Sequence, residues 1–274
     1  MNRRSNAGCG RFGIAAVIAI IAIIGYFSKS SVNPVTGEKQ HISMSPDQEV
    51  ALGLQATPQM VSEFGGEDDD PRLQALVDEV GNEVVRNSDA NGSPYQFEFH
   101  LLADRETINA FALPGGQVFI TRALLDKLKT RGQLAGVLGH EVGHVIARHG
   151  AEHMAKAELT QGLTGAAVMA TYDPNNPSSA NSAAVAQMIG NLVNLKYGRN
   201  DELESDKFGV KFMSETGYDP RAMIEVMKIL KESTEGGRQP EFFSSHPNPD
   251  NRIERIQAAI KDQFPNGVPN GLKP

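Results

Sequence analysis

The sequence has little cysteine and no excess of positive charge. Its one cysteine, Cys9, excludes an internal disulfide and a metal cage of thiolates, so metal ligands would have to be histidine and carboxylate groups. A net charge of -7 offers no basic surface for nucleic acid, and we expect no nucleic-acid partner. The length of 274 residues suits one catalytic domain with a short appendage.

Long apolar runs are also scarce, and the one that stands out covers residues 12–28. It carries no charged residue over 17 positions, so as a helix it would reach about 25 Å, at the lower limit for crossing a bilayer. Arg3, Arg4 and Arg11 precede it, which favours a cytoplasmic N-terminus and a body outside the cytoplasm. We expect an uncleaved membrane anchor; the alternatives are a cleaved signal segment and a buried helix.

Composition and turn signals divide the rest of the chain. We expect a cytoplasmic tail at 1–11, the anchor or signal segment at 12–28, an extended connector at 29–45, a catalytic domain at 46–264 and a flexible tail at 265–274. No internal repeat and no coiled-coil heptad pattern is present.

Periodicity and capping residues predict mostly helices. Ser45-Pro46 and Asp70-Pro71 each read as a helix start, with a cap followed by proline at the first helical position. Alternation predicts a strand at 95–101, and two apolar runs around Pro114-Gly115-Gly116 predict a hairpin. The further helices are predicted at 122–129, 133–149 and 200–217, with two more at the C-terminal end and a helical hairpin between 150 and 197.

Three of the seven histidines fall within ten residues, in the stretch VLGHEVGHVIARH at 137–149. His140 and His144 are four residues apart, so on a helix they share a face and can close on one cation. Glu141 is offset by about 100°, so its carboxylate can flank a water on that cation without replacing a ligand. Imidazole is a costly filler for an apolar helix face unless its nitrogens find partners, and a metal supplies one.

A catalytic zinc usually takes three protein ligands, so one more is needed. The acidic segment at 202–206 lies on a predicted helix and offers Glu202, Glu204 and Asp206. Glu202 and Asp206 share a face, whereas Glu204 points about 160° away from Glu202. Spacing alone leaves the choice open, and a solvated acidic face would explain the segment about as well.

Taken together, four blocks resemble the M48 zinc metallopeptidases. They are HEVGH at 140–144, ELESD at 202–206, NAFALPGG at 109–116 and SHPNPDNRI at 245–253. The resemblance runs from about residue 33 to 260 and is greatest to the branch of periplasmic outer-membrane quality-control proteases, with the mitochondrial Oma1 type more distant. It implies an α+β, mainly helical, zincin-like fold with an active-site helix and a small β-sheet edging the cleft.

The resemblance also implies roles for particular residues. One Zn²⁺ per chain would be bound by His140, His144 and Glu202, with Asp206 supporting the shell and Glu141 as general base. His246 and Arg252 match the remaining block, where either would donate to an oxyanion. The edge strand that binds substrate would be formed by Asn109, Ala110, Phe111, Ala112, Gly115 and Gly116.

Two alternatives remain for His246 and for the function as a whole. Taken alone, the His246-Pro247 pair predicts a structural turn. Alternatively, His246 is an extra metal ligand that keeps the site closed. We expect a membrane-anchored, extracytoplasmic, bacterial zinc endopeptidase that acts on misfolded or unassembled envelope polypeptides. The alternative is a chaperone-like binding module whose protease site is latent or rarely used. The oligomeric state is not predicted.

Overall fold

The computed structural model describes residues 6–33, 35–171, 197–234, 240–247 and 251–274. The described chain is mainly helical with small sheets, as predicted. Its helices are α1 (Asn6–Ser28), α2 (Pro46–Glu63), α3 (Pro71–Arg86), α4 (Arg122–Leu125), α5 (Arg131–Ile146), α6 (His149–Thr171), α7 (Arg199–Glu215), α8 (Ala222–Glu232), α9 (Phe242–Ser245) and α10 (Arg252–Gln263), with a 3₁₀ turn at Asp89–Gly92. Its strands are β1 (Ser30–Val32), β2 (Lys39–His41), β3 (Glu98–Leu102), β4 (Ala110–Ala112) and β5 (Gln117–Thr121).

The predicted helix starts are confirmed, and each has a physical cap. Ser45 accepts a hydrogen bond from the N–H of Gln48, and the Gln48 side chain accepts one from the N–H of Ser45 in return. Asp70 caps α3 by accepting from the N–H of Arg72. A proline occupies the first helical position of both helices.

The predicted hairpin forms one side of a three-stranded sheet with the strand order β3-β5-β4. β5 lies between the other two strands, parallel to β3 and antiparallel to β4. Because β4 pairs only with β5, it is an edge strand. The turn between them uses Gly115 and Gly116 with φ values of 89° and 111°. A Cβ at Gly115 would lie 2.4 Å from the Cα of Val50, and one at Gly116 would lie 2.7 Å from the carbonyl of Gln96. Glycine is therefore required at both positions by conformation and by close packing.

The segment predicted as an extended connector forms the antiparallel pair β1-β2. Its side chains reach the C-terminal end of α5: Asn33 donates to the carbonyl of Ile146 at 2.8 Å and Gln40 to that of Ala147 at 2.5 Å. The last carbonyls of a helix have no partner within the helix, so these two amides satisfy groups that would otherwise be buried without one.

Two predicted helices have different ends in the structure. The helix expected at 122–129 stops at Leu125, and the helix expected at 133–149 stops at Ile146. At Arg148 the backbone adopts a left-handed conformation with φ 59°, which ends α5 and lets α6 begin at His149. The buried guanidinium of Arg148 binds the carboxylate of Glu49 and the carbonyl of Met44, which holds this turn.

Small residues let α5 and α7 approach closely. A Cβ at Gly139 would be 3.5 Å from the Cα of Gly209 on α7. A Cβ at Gly143 would be 3.0 Å from the Cβ of Phe208 and 3.1 Å from the carbonyl of Ser205. α5 lies at the centre of the main core, with all but its first residue buried. The acidic segment of α7 is thereby carried into the protein interior.

At the N-terminal end, α1 packs along α6, where a Cβ on Gly162 would lie 2.8 Å from that of Ala22. Much of α1 is exposed, including Ile21 and Ile24 at 63% and 61%. Among the described residues, no helix is both long and apolar enough to cross a membrane, and the predicted anchor at 12–28 is not supported. Of the helical hairpin predicted between 150 and 197, the structure describes the first arm, while residues 172–196 lie outside the described part.

Candidate metal centre

The two histidines of α5 meet a carboxylate of α7 in the interior. His140 and His144 are buried, and their Nε2 atoms are 3.1 Å apart. Glu202 places Oε1 at 3.4 Å from Nε2 of His144 and Oε2 at 3.6 Å from Nε2 of His140. His246, just after α9, adds a fourth donor, and one donor atom from each of the four lies within 4.8 Å of the others.

These donors fit a divalent metal because their ligand atoms converge and several of them make no hydrogen bond within the described residues. Both oxygens of Glu202 and Nε2 of His246 are buried and make no hydrogen bond within the described part of the chain. Burial raises the pKa of Glu202, and burial together with His140 lowers the pKa of His144 well below its usual range. An unprotonated imidazole can donate its lone pair to a metal, and two imidazoles with one carboxylate form a donor set that zinc accepts.

Asp206 of α7 and Arg252 of α10 lie against the ligand residues. Oδ1 of Asp206 is 2.9 Å from Nδ1 of His140. Arg252 donates from Nε to Asp206 at 2.7 Å, and its Nη1 lies 3.0 Å from Glu202. Although burial opposes it, the Arg252 guanidinium lowers the pKa of Asp206 to about 2. Asp206 is therefore an anion that can fix the ring of His140 by accepting from its Nδ1–H.

Glu141 lies beside the donor cluster with a free carboxylate. It is fully buried, and neither of its oxygens makes a hydrogen bond within the described residues. The nearest cationic partner is Nε2 of His246, 3.5 Å from Oε1. Burial opposes a charge on His246, but the carboxylates of Glu141 and Glu202 outweigh it and raise its pKa. A buried carboxylate that accepts no hydrogen bond is costly unless water or substrate supplies one.

His246 is held so that its Nε2 points into the site. Its Nδ1 is 2.9 Å from the hydroxyl of Ser245, and its ring stacks on Phe242 at a centroid distance of 4.4 Å. The backbone N–H of His246 donates to the carbonyl of Phe242. Each of these contacts comes from α9, so this short helix aims the imidazole.

Two further histidines have carboxylate partners on α7. Nδ1 of His149 is 2.9 Å from Nδ1 of His144, and its Nε2 is 3.2 Å from Glu204. His153 pairs with Asp201 at 2.6 Å. Glu204, which points away from the metal face of α7, thus contacts the site through His149. The only signal of this contact in the sequence is the third histidine of the cluster, His149.

Tyr197 is a site residue that the sequence analysis missed. Its ring stacks on His144 at a centroid distance of 3.8 Å with an interplanar angle of 20°. Its hydroxyl donates weakly to the carbonyl of Ala112 at 3.4 Å, which links the edge strand to the donor cluster. Burial, followed by the charge of Glu141, raises the pKa of Tyr197 well above its usual range. No local motif marks this residue, because only the folded chain brings it to the site.

The block predicted to bind substrate is divided between β4 and its turn. Ala110, Phe111 and Ala112 form β4, whereas Gly115 and Gly116 form the turn that packs against α2 and the residues before β3. Asn109 is buried next to β4, and its side-chain oxygen has no hydrogen bond within the described residues.

Comparison with known proteins matches the chain to one protein family and to several named relatives. The family model for peptidase family M48 matches residues 71–260. The chain is 29% identical over 241 residues to the beta-barrel assembly-enhancing protease of Yersinia pestis. The aligned region covers 84% of this chain and 47% of that protein. It is 30% identical over 195 residues to the Escherichia coli (strain K12) protein of the same name, covering 67% of this chain and 38% of that one. The mitochondrial metalloendopeptidase OMA1 of Schizosaccharomyces pombe is 29% identical over 244 residues, covering 85% of this chain and 67% of that protein. The chain thus spans less than half the length of the two bacterial relatives.

Proposed function

Since the chain belongs to peptidase family M48, we propose that it is a zinc-dependent endopeptidase. The observation that carries the proposal is the convergence of His140, His144 and Glu202 beside the unpartnered carboxylate of Glu141. In this proposal one zinc ion is bound by His140, His144 and Glu202, and Asp206 orients the ring of His140. Zinc, when bound, supplies a Lewis acid that polarises the substrate carbonyl and acidifies water.

Glu141 would move the proton in this reaction. Its free oxygens can accept a proton from the attacking water and later return it to the amine that leaves as the peptide bond breaks. The surrounding burial excludes bulk water, which strengthens the electrostatic effect of each charged group at the reacting carbonyl. Because neither oxygen accepts a hydrogen bond within the described residues, no existing hydrogen bond opposes the transfer.

Two residues remain as donors to the oxyanion that forms when the carbonyl is attacked. His246 directs an unpartnered Nε2 into the site, and Arg252 retains an Nη1 without a hydrogen bond within the described residues. Arg252 is already engaged with Asp206 and lies next to Glu202. We therefore favour His246 as the oxyanion donor and Arg252 as the group that holds the two carboxylates.

The edge strand β4 provides a binding surface for an extended peptide. The carbonyl of Asn109 accepts from the N–H of Thr121, and the N–H of Leu113 donates to the carbonyl of Gln117, so alternation along the antiparallel ladder turns the backbone groups of Ala110 and Ala112 away from β5. Of these groups, the carbonyl of Ala112 is held weakly by the Tyr197 hydroxyl at 3.4 Å. A substrate strand can pair with these groups through its own main chain. Such pairing predicts little dependence on the side chains of the substrate.

For the biological substrate, we propose misfolded or unassembled proteins of the bacterial envelope, in a role of protein quality control. This rests on the name of the bacterial relatives, beta-barrel assembly-enhancing protease, and on main-chain recognition by β4. We further propose that the catalytic domain lies outside the cytoplasm and associates with the membrane through the N-terminal segment, because arginines precede its apolar run. Cell fractionation with protease protection tests this: an active chain confined to the cytoplasm would contradict it.

A second candidate is a latent protease or chaperone-like binding module. The specific observation in its favour is that Nε2 of His246 lies among the donors of the other three residues, where it can occupy the position that water needs. In that state the protein would bind unfolded chains along β4 without cleaving them.

The test is zinc analysis combined with cleavage of casein or another unfolded protein. We expect one zinc per chain, cleavage by the wild type, and retained zinc without cleavage in Glu141→Gln. Glu225→Gln is a matched control, since it makes the same change on the exposed surface of α8. Stoichiometric zinc with no cleavage by the wild type would favour the latent alternative, whereas a wild type that binds no zinc would refute the proposal.

A further inference from the structure

The acidic segment of α7 supplies three carboxylates to the metal centre, and one of them has no role so far. Glu202 faces the donor cluster, and Asp206 contacts Nδ1 of His140 directly. Glu204 points elsewhere on the helix, is about one quarter exposed, and pairs with Nε2 of His149 at 3.2 Å. The question is what this outward carboxylate does for the site.

His149 connects Glu204 to the second histidine of the motif. The ring of His149 is 2% exposed, and its Nδ1 lies 2.9 Å from Nδ1 of His144, a distance typical of a hydrogen bond. The hydroxyl of Ser205 lies 3.3 Å from the same nitrogen of His149. The left-handed turn at Arg148 produces this arrangement, because it starts α6 at His149 and folds its ring back onto α5.

The positions of the protons in this chain of contacts follow from the metal site. If His144 donates the lone pair of Nε2 to a metal, its proton is on Nδ1. Nδ1 of His149 must then accept, so the proton of His149 is on Nε2, facing the carboxylate of Glu204. The Ser205 hydroxyl, 3.3 Å away, is only a weaker second donor toward the same lone pair. Reversing the chain would place a proton on Nε2 of His144, between His140 and Glu202, where it would block metal binding.

We propose that Glu204 and His149 form a hydrogen-bond relay that fixes the tautomer and orientation of His144 as a metal ligand. The relay extends the proposed function, since it assumes that His144 binds zinc. It parallels the contact between Asp206 and His140: one ligand reaches a carboxylate of α7 directly, and the other reaches one through an intervening imidazole. His149 and Glu204 are positioning residues that act through His144.

Zinc affinity, measured by chelator competition on the full chain, tests the relay. Loss of such outer partners typically weakens metal binding by about 10- to 100-fold, and we expect this range for His149→Phe and Glu204→Ala. Glu204→Gln keeps an accepting oxygen and should bind zinc more tightly than Glu204→Ala. The matched control is His153→Phe, one turn further along α6, because His153 pairs with Asp201 and not with a ligand. It should leave zinc affinity unchanged.

Thermal unfolding of the metal-free proteins separates positioning from folding. The relay predicts that His149→Phe still unfolds cooperatively without zinc and that its affinity for zinc is lower than that of His153→Phe. Equal zinc affinities of the two variants would overturn the relay, even if the wild type binds one zinc per chain and cleaves casein. A wild type without zinc would instead refute the proposed function.

A direct measurement does not depend on whether the variants fold. Long-range ¹H–¹⁵N spectra of the histidine rings in the zinc-loaded wild type report which nitrogen carries each proton. We expect His149 with its proton on Nε2 and His144 with its proton on Nδ1. Finding the proton of His149 on Nδ1 would overturn the relay.

Discussion

Replacing Arg252 by methionine isolates the electrostatic role of a buried guanidinium. The side chain is 2% exposed and is bound to Asp206 through Nε and Nη2 at 2.7 and 2.9 Å, with Glu202 3.0 Å from Nη1. Methionine fills most of the same volume but leaves two buried carboxylates without their cation. Removing one partner of a buried ion pair typically costs about 3 to 5 kcal/mol in the free energy of unfolding.

The assay is urea unfolding of the metal-free protein, so that zinc cannot replace the lost charge at Glu202. A loss of about 3 to 5 kcal/mol is expected for Arg252→Met. Arg72→Met is the control: this arginine also pairs with an aspartate, Asp70, but its side chain is 88% exposed. Water and salt screen that pair, so the control should unfold at almost the wild-type urea concentration.

The reasoning would be refuted if the two variants unfolded alike. A small loss in Arg252→Met would mean that Asp206 and Glu202 are accommodated without the guanidinium, for example by taking up protons. It would remove the argument that Arg252 holds the carboxylates of the metal centre.

Three further predictions concern the centre and its packing. Glu202→Ala should bind zinc below one equivalent and lose cleavage, measured by metal analysis and casein hydrolysis; full zinc would show that another residue is the third ligand. His246→Ala should keep zinc and lower kcat by about 10²- to 10³-fold with little change in KM if it donates to the oxyanion. A rise in kcat would identify it as a latch, and an unchanged kcat with a lower Tm as structural. In urea unfolding, the free energy of unfolding of Gly143→Ala should be about 1 to 3 kcal/mol lower than that of Gly139→Ala. The reason is that a Cβ at Gly143 would lie 3.0 Å from Phe208, whereas the nearest atom to a Cβ at Gly139 is 3.5 Å away. Equal stabilities of the two variants would contradict the close approach of the helices.

Local signals in the sequence predicted the elements that local physics controls. The caps at Ser45 and Asp70, the glycine turn at 115–116 and the one-face spacing of His140 and His144 depend on residues within a few positions of one another. The family blocks also predicted a mainly helical fold with a small sheet. The end of α5 was predicted wrongly, because a left-handed arginine is unfavourable locally and is held by Glu49 from α2.

What the sequence determined by itself is therefore the family, the residue types of a candidate metal site and the helix that carries its two histidines. The tertiary structure decided which groups meet. Helical spacing leaves Glu202 and Glu204 chemically equivalent, and only the packing of α7 against α5 turns one toward the donor cluster and the other toward His149. Tyr197 and His246 reach His144 from segments more than 50 residues away, as their ring contacts show. The physical reason is that spacing along a helix fixes a direction, whereas a partner in that direction is supplied by long-range packing.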